Sequence, residues 1–339
     1  MLLEHGGNLA LAAMQYNIPL ASWLDLSTGI NPNGYPIPNI PAEIWQRLPL
    51  ENDGLIEAAC GFYGCKFALA AAGSQAALQI LPQLRGAPAK VAMPSLMYQE
   101  HAKAWQHAGH QVLKFAAYPD ENIINNADVV LLCNPNNPDG TQYSAADLLG
   151  WHTQLANRGG WLIVDEAFAD ATPALSIAQY AHLEGLFVLR SLGKFFGLAG
   201  VRVGFLLGAE AALLRAQEEI GPWSITGPSR FVAKQALTDK IWQENTRSQL
   251  PVNSLRLANL LTKYGLKPLA GTALFQFIPT EKASAWQTHL AKHGIWVRLF
   301  SGVTTLKEQS ALRFGLPPEA GWERLEVALK SFDHHVDDK

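Results

Sequence analysis

The sequence predicts an α/β fold, in which a large domain with a mostly parallel central sheet is followed by a smaller α+β domain. Between residues 66 and 208, short apolar segments alternate with amphipathic segments of helical length, which is typical of an open parallel sheet. Beyond residue 265 this alternation gives way to a mixture of short strands and helices. The chain has 339 residues, which is enough for two domains.

The first forty residues include the turn-rich stretches HGGN (5–8) and STGINPNGYPIP (27–38). Gly, Pro and Asn at this density favour turns, so we predict an irregular arm over 1–40 rather than a helix. We then predict a large domain over 41–225 and a small C-terminal domain over 226–339.

Strand and helix patterns follow one another through the large domain, after a helical pattern near 53–64. The predicted strands are KFALAAAG (66–73), KVAMP (90–94), QVLKFAA (111–117), ADVVLLCNP (127–135), WLIVDEAF (161–168), LFVLRSLG (186–193) and VRVGFLLG (201–208). The helices predicted between them are SQAALQILPQLRG (74–86), capped by Ser74, YQEHAKAWQHAGH (98–110) and SAADLLGWHTQLANRGG (144–160).

The C-terminal part is predicted to be mainly helical over 209–265 and mixed after that. The predicted elements are the strands ALFQFIP (273–279), IWVRLF (295–300) and ALRFGLP (311–317), and helices near 283–293 and 319–332.

Composition argues against several classes of partner and site. A net charge of -3 gives no basis for binding nucleic acid or an acidic membrane. The cysteines, Cys60, Cys65 and Cys133, are odd in number, and their spacing fits neither a zinc site nor a redox pair. The N-terminus lacks a signal-peptide pattern and no apolar run approaches the roughly 20 residues that span a bilayer, so we predict a cytoplasmic protein.

Polar residues follow four of the predicted strands. They are Gly73-Ser74-Gln75, the segment NPNNPDGT (134–141), Asp165-Glu166, and Ser191 with Lys194. Ligands of open α/β sheets bind beyond the carboxyl ends of the strands, so the repetition of polar residues at these ends predicts a binding site there.

Each of these groups also has a purely structural interpretation. Ser74 opens a helix, where it can bind a phosphate or simply cap the helix. NPNNPDGT is either part of a site or a surface turn. The carboxylate of Asp165 closes an apolar strand and needs a cationic partner, which a structural arginine would also supply.

Lys194 lies among glycines and apolar residues in SLGKFFGLAGVRVG (191–204). An ammonium group in such surroundings loses its proton more readily and becomes a usable amine nucleophile, whereas the alternative is a lysine that reaches the surface. Arg202 supplies a fork suited to a phosphate. A lysine, an acid, an asparagine and a Ser/Arg anion site are together what pyridoxal phosphate (PLP) requires of a protein.

Other cofactor and metal motifs do not fit. Gly193-Lys194 is not followed by Ser or Thr, so it is not a P-loop, and GLAGVRVG lacks dinucleotide-loop spacing. His101, His107 and His110 lie in a predicted helix without a supporting carboxylate pattern, so we interpret them as surface residues and predict no metal site.

The motifs G-S-Q, Tyr98, NPNNPDG, DEAF, SLGK and Arg202 occur in an order that resembles the fold-type I PLP enzymes, the aspartate aminotransferase superfamily. The resemblance covers nearly the whole chain. HGGN, LDLSTGINPNG (24–34) and LRFGLP (312–317) are similar to one branch, the threonine-phosphate decarboxylases of cobalamin biosynthesis, whose relatives include the histidinol-phosphate aminotransferases.

The resemblance implies roles for individual residues. Lys194 forms the Schiff base, Asp165 pairs with the pyridinium nitrogen, and Tyr98 stacks on the ring; these three are the predicted catalytic residues. The other predicted cofactor-binding residues are Asn137, at the phenolate oxygen, and Gly73, Ser74, Gln75, Ser191 and Arg202, at the phosphate. The predicted substrate-binding residues are His5 and Gly6 in the N-terminal arm, Asn31, Asn137, Arg298, and Arg313, which matches the superfamily's carboxylate-binding arginine.

Arg298 and Arg313 are fifteen positions apart near predicted strands, so we expect them side by side. For Arg298, a surface ion pair is the alternative, and for His5, a disordered terminus. Three departures affect cofactor affinity: Phe168 and Leu48 each stand where many relatives have a tyrosine, and Asp139 replaces a threonine.

The resemblance implies PLP-dependent decarboxylation of O-phospho-L-threonine to (R)-1-amino-2-propanol phosphate by a homodimer. Two alternatives stay open. One is a histidinol-phosphate-type aminotransferase, because the same lysine serves both reactions. The other is a non-catalytic PLP-binding scaffold protein.

Overall fold

A computed structural model of the chain describes residues 6–303 and 305–333. The described residues form two compact units. The large unit comprises 34–137 and 141–247, and the small unit comprises 6–33, 138–140 and the described residues from 248 onward.

Most elements lie where the sequence pattern predicts them. The strands are β1 (Leu24–Asp25), β2 (Ala68–Ala71), β3 (Lys90–Pro94), β4 (Gln111–Phe115), β5 (Val129–Cys133), β6 (Trp161–Asp165), β7 (Leu186–Ser191), β8 (Gly204–Leu207), β9 (Ala270–Thr272), β10 (Phe275–Pro279), β11 (Ile295–Trp296), β12 (Arg298–Ser301) and β13 (Ser310–Gly315). The α-helices are α1 (Leu9–Tyr16), α2 (Ala42–Gln46), α3 (Leu55–Tyr63), α4 (Ser74–Arg85), α5 (Glu100–His107), α6 (Glu121–Asn126), α7 (Ala145–Ala156), α8 (Glu210–Ile220), α9 (Gly227–Thr238), α10 (Lys240–Lys263), α11 (Ala283–Lys292) and α12 (Trp322–Lys330).

The sheet of the large unit has the strand order β2-β8-β7-β6-β5-β3-β4. β3 to β7 pair in parallel, and β8 is antiparallel to both of its neighbours, β2 and β7. The carboxyl ends of β2 and of β3 to β7 therefore meet at one edge of the sheet, where β8 begins. The predicted mostly parallel α/β sheet is confirmed.

The core of the large unit lies between this sheet and the helices that cover it. Leu81 of α4, Trp105 of α5 and Leu213 of α8 pack against Leu131 of β5 and Phe187 of β7, and all five side chains are buried. Strands that are covered by helices need apolar residues at nearly every position, which explains the unbroken apolar runs in the sequence.

The small unit contains an antiparallel sheet of order β12-β13-β10-β9 and a parallel pair, β1-β11. The predicted strand over 295–300 is divided at Val297, so that β11 pairs with β1 while β12 pairs with β13. Because of the β1-β11 pair, the segment 6–33 groups with the C-terminal residues. The predicted domain bounds, 1–40, 41–225 and 226–339, differ from these units and stay a prediction about folding domains.

The prediction that the N-terminal arm contains no helix is wrong, because α1 lies within it. The side chain of Asn8 accepts a hydrogen bond from the Leu11 N–H, which caps the start of α1, and Asn17 ends the helix in the left-handed conformation. Between these ends, LALAAMQY consists largely of strong helix formers. The Gly- and Pro-rich stretches flank this segment without entering it. No helix among the described residues has the length and apolar character needed to cross a membrane.

Candidate active site

One edge of the large unit's sheet brings together most of the predicted cofactor residues. Asp165 is the last residue of β6 and Ser191 the last of β7. Gly204, at the start of β8, pairs with Ser191 on one side and with Ala71, the last residue of β2, on the other. The strand ends that carry the phosphate-site and acid residues are therefore neighbours in the sheet.

An anion cradle is formed where β2 leads into α4. Gly73 adopts a left-handed φ of 77°, and a Cβ atom there would collide with the guanidinium group of Arg202. Ser74 is the first helical residue of the twelve-residue α4, not its cap as predicted, because Gly73 takes the cap position without a side-chain hydrogen bond. A helix N-terminus beside a guanidinium group is a favourable place for a phosphate. On the neighbouring strand end, the Ser191 hydroxyl accepts a hydrogen bond from the Gly193 N–H (3.3 Å).

Asp165 is a buried carboxylate, and its partner is a histidine. His101 donates from Nε2 to Asp165 Oδ2 (2.9 Å), while the Ala167 N–H donates to Oδ1 (3.0 Å). The side chain of His101 is 1% exposed. His101, Asp165 and Cys133 each have a side-chain atom that can bind a metal ion, and these atoms all lie within 4.8 Å of one another.

The interpretation of His101 and His110 as surface residues is therefore wrong, whereas His107 is exposed as expected. His110 lies beyond the end of α5, where its Nδ1 accepts from the Ala89 N–H (3.1 Å) and its Nε2 donates to the Pro82 carbonyl (2.9 Å). The sequence did contain an indication that His101 lies near the site. His101 follows Tyr98 by about one helical turn, which places both side chains on the same face of the predicted helix.

The salt bridge to a structural arginine, considered above for Asp165, belongs to its neighbour Glu166. Glu166 and Asp170 both pair with the buried guanidinium group of Arg190. Burial raises the pKa of Glu166, and the adjacent Arg190 charge acts in the opposite direction. Two consecutive acids thus have different environments, and the Arg190 ion pair leaves Asp165 to interact with His101.

Tyr98 is held in place by polar contacts beside the acid. Its ring meets the His101 ring edge-on, with 5.9 Å between centroids, and its hydroxyl donates to Gln75 Oε1 (3.2 Å). Gln75 in turn donates to Glu100 (3.4 Å). Burial, followed by the nearby carboxylates of Glu100 and Asp165, raises the pKa of Tyr98 to about 12. The Gln75 side chain thus positions Tyr98, and the backbone N–H of Gln75 lies in the first turn of α4.

Lys194 lies just beyond β7 and is half-buried. Its Nζ is 5.2 Å from the ring centroid of Phe168, which is itself buried. The phenylalanine noted as a departure from relatives is therefore a direct neighbour of the lysine amine.

The segment 134–141 is not a loose surface turn, because two of its asparagine side chains form hydrogen bonds to backbone groups outside the segment. Asn134 accepts from the Tyr143 N–H (3.0 Å) and donates to the Tyr143 carbonyl (3.1 Å), and Asn136 donates to the Leu96 carbonyl (2.8 Å). These two residues are buried, whereas Asn137 is half-buried. Asn134 and Asn136 thus fix the path of the segment that carries Asn137, the asparagine predicted to bind the cofactor.

The small unit brings the two predicted substrate arginines together. Arg298 of β12 and Arg313 of β13 are cross-strand partners, as expected from the sequence. Arg313 is buried and donates to the Ser27 carbonyl. Burial, followed by the positive charge of Arg298, lowers the pKa of Arg313 to about 10, while Asp25 acts in the opposite direction.

Asp25 and Ser27, which sequence reasoning did not select, organise the N-terminal segment beside Arg313. Asp25 Oδ1 accepts from the Ser27 N–H (2.8 Å) and hydroxyl (2.6 Å), and the Ser27 Oγ accepts from the Gly7 N–H (2.7 Å). Gly6 packs against the Ser27 carbonyl. Asn31 is buried and accepts from the Asn33 N–H (2.9 Å), and His5 lies outside the described residues. Both missed residues belong to LDLSTG, the stretch that carried part of the resemblance.

Comparison with known families agrees with this geometry. The family model described as aminotransferase class I and II matches residues 52–332. The chain belongs to the aminotransferase class I and II family.

Relatives of known name cover almost the whole chain. A threonine-phosphate decarboxylase from Pseudomonas aeruginosa is 48% identical over 332 residues, which is 98% of this chain and 98% of that protein. A threonine-phosphate decarboxylase from a Sinorhizobium species is 36% identical and covers 95% of this chain and 96% of its own length. The solved structure of histidinol-phosphate aminotransferase from Sinorhizobium meliloti in complex with pyridoxal-5'-phosphate has a TM-score of 0.78 at 20% identity and covers 97% of this chain and 94% of that one. The fold expected for a class I and II family member is thus confirmed.

Proposed function

We propose that this protein is a PLP-dependent threonine-phosphate decarboxylase that converts O-phospho-L-threonine to (R)-1-amino-2-propanol phosphate in cytoplasmic cobalamin biosynthesis. The observation that carries the proposal is the cross-strand pair Arg298 and Arg313, in a chain that is 48% identical to a threonine-phosphate decarboxylase. Phosphothreonine has a carboxylate and a phosphate, so two adjacent cations match its two anionic groups.

The residues at the sheet edge fit PLP. The cradle of Gly73, Ser74, Ser191 and Arg202 suits its phosphate, because Arg202 supplies a positive charge and α4 directs N–H groups outward. When bound, PLP supplies a protonated aromatic ring that withdraws electrons from the substrate's α-carbon. Lys194 would hold the cofactor covalently.

The remaining protein groups control charge and position. The buried carboxylate of Asp165 stabilises a proton on the ring nitrogen, and His101 fixes the orientation of that carboxylate. Tyr98 would cover the ring, and Asn137 would bond its phenolate oxygen. Asp165 ends β6 and His101 lies in α5, so rigid elements of the large unit fix the position of the carboxylate.

Arg313 and Arg298 orient the substrate. We assign the substrate carboxylate to Arg313 and the phosphate to Arg298, with Gly6, Asn31 and the N-terminal segment completing the contacts. Fixing both ends of the substrate determines which bond of the α-carbon is aligned for cleavage, and this alignment separates decarboxylation from transamination.

Purified protein supplied with PLP and phosphothreonine should release CO₂ and aminopropanol phosphate. Rapid turnover of histidinol phosphate with 2-oxoglutarate, without CO₂ from phosphothreonine, would replace the proposal with the aminotransferase alternative. A yellow protein that turns over neither substrate would support the scaffold alternative.

The role of Lys194 is tested separately. Lys194→Ala should lose the visible absorbance of the covalently held cofactor and lose decarboxylation, whereas Lys240→Ala, an exposed lysine at the start of α10, should retain both. Turnover near that of the wild type in Lys194→Ala would refute the covalent role.

We also propose that the protein is a homodimer. Large apolar side chains of the large unit are more than half exposed in the single chain, which is typical of a subunit interface. They include Ile37, Trp45, Leu48, Leu50 and Trp223. Sedimentation velocity should give the mass of two chains, and Trp45→Ser combined with Leu48→Ser should shift the protein toward the mass of one.

A further inference from the structure

Two of the three cysteines meet at the end of a helix. The helix α3 ends at Tyr63 and is followed by Gly64, which has a left-handed φ of 67°. In a helix end of this type the chain reverses at the glycine, and the residue after it returns to the residue five positions earlier. Here these two residues are Cys65 and Cys60.

The side chains confirm the contact. Cys60 Sγ lies 3.8 Å from the carbonyl oxygen of Lys66, the residue directly after Cys65, so the chain at Cys65 has returned to the side chain of Cys60. Cys60 is half-buried and Cys65 is buried, so an external reagent meets Cys60 first. The third cysteine, Cys133, lies in β5 and belongs to the core cluster of the large unit.

The two thiols differ in reactivity as well as in exposure. The hydrogen bond from Cys65 lowers the pKa of Cys60, although partial burial raises it. The same hydrogen bond, followed by burial, raises the pKa of Cys65. A thiolate is the reactive form in disulfide exchange. Because Cys60 is the more exposed of the two, an external disulfide reaches Cys60 first, and the buried Cys65 is left to resolve the product.

We propose that Cys60 and Cys65 form a reversible dithiol–disulfide site that exchanges with low-molecular-weight disulfides. The Cys60 thiolate attacks one sulfur of the external disulfide and releases one thiolate, which leaves a mixed disulfide on Cys60. Cys65 then attacks the Cys60 sulfur, loses its proton and releases the second thiolate. The protein loses two electrons and two protons, and the external disulfide is reduced to two thiols.

This site goes beyond decarboxylation and does not depend on it. Sequence spacing alone excluded a redox pair because five positions separate the cysteines, but the left-handed glycine brings them together. The disulfide would tie the last turn of α3 to the segment that enters β2. In that last turn, the Tyr63 ring lies 4.4 Å from the Arg190 guanidinium carbon, so oxidation is linked to the strand that ends in Ser191.

The test is oxidation of the PLP-loaded protein by oxidised glutathione, followed by mass spectrometry of the intact chain and of its peptides. The wild type should lose two hydrogens, with a disulfide joining positions 60 and 65, and dithiothreitol should restore the starting mass. Cys65→Ser should stop at one glutathione attached to Cys60. Cys60→Ser should remain unmodified, because Cys65 is buried.

Cys133→Ala serves as the control, because it has one thiol fewer at the start and should form the same 60–65 disulfide. Near-ultraviolet circular dichroism identifies any variant that has lost its packing. A wild type that keeps all its thiols, a disulfide that includes Cys133, or glutathione attached to Cys65 in Cys60→Ser would each overturn the proposal.

Discussion

Replacing His101 by alanine tests whether this histidine positions the catalytic carboxylate. The change removes the hydrogen bond from Nε2 to Asp165 Oδ2 (2.9 Å) between two buried side chains and leaves Asp165 with the Ala167 N–H as its other partner. A hydrogen bond to a charged group contributes about 1.5–3 kcal/mol. For a unit of roughly 200 residues, 1 kcal/mol corresponds to about 2–4 °C in the melting temperature. We therefore expect His101→Ala to melt about 3–12 °C below the wild type.

The assay is thermal unfolding of the PLP-free protein, combined with titration of PLP followed by visible absorbance. His101→Gln keeps an N–H donor, so it should recover part of the lost stability and of the PLP affinity. His107→Ala changes an exposed histidine of the same helix and should alter the unfolding free energy by less than about 0.5 kcal/mol. Equal melting temperatures and equal PLP affinities for His101→Ala and His107→Ala would refute the positioning role.

Three further substitutions test other parts of the large unit. Phe168→Tyr places a hydroxyl beside Lys194, where the family resemblance predicts a hydrogen bond to the bound cofactor. A hydrogen bond of about 1.5 kcal/mol should slow the loss of PLP during dialysis about tenfold. An unchanged or faster loss would contradict this. Burial raises the pKa of Asp53, but hydrogen bonds from Arg230 and a backbone N–H lower this pKa below the ordinary value. The ionised Asp53 carboxylate therefore stabilises the fold above about pH 4, and this stabilisation is lost as the pH falls through the lowered pKa. Asp53→Asn should thus cost about 1–3 kcal/mol in urea unfolding at pH 7 and progressively less below pH 4; a cost that does not change with pH would show that packing, not charge, is responsible. Gly73 combines a φ of 77° with a ψ of 162°, a conformation that is essentially restricted to glycine, so Gly73→Ala should cost about 1–3 kcal/mol. The added Cβ also displaces the guanidinium group packed there, so PLP should bind more weakly, and an unchanged binding isotherm would refute the cradle.

Local features of the chain were sufficient to predict the sheet. Each apolar run in the large unit became a strand because a strand covered by helices tolerates few polar residues. The polar residues after four of these runs lie at the edge of the sheet where the binding site was predicted. The two short helices α2 and α6 escaped prediction because five or six residues are too few to show helical periodicity. The helix α1 was missed because the turn-forming residues on either side of it dominated the composition of that region.

The sequence by itself determined the order of the motifs, and with it the family and the α/β architecture, because these depend on residue type and spacing along the chain. Only the tertiary structure decided which charged groups meet. It paired Asp165 with His101 and gave the structural arginine to Glu166, although the two acids are adjacent in sequence. It also turned the chain at Gly64 so that the residues after α3 return to the side chain of Cys60. Such pairings depend on burial and direction in three dimensions, and spacing along the chain does not encode them.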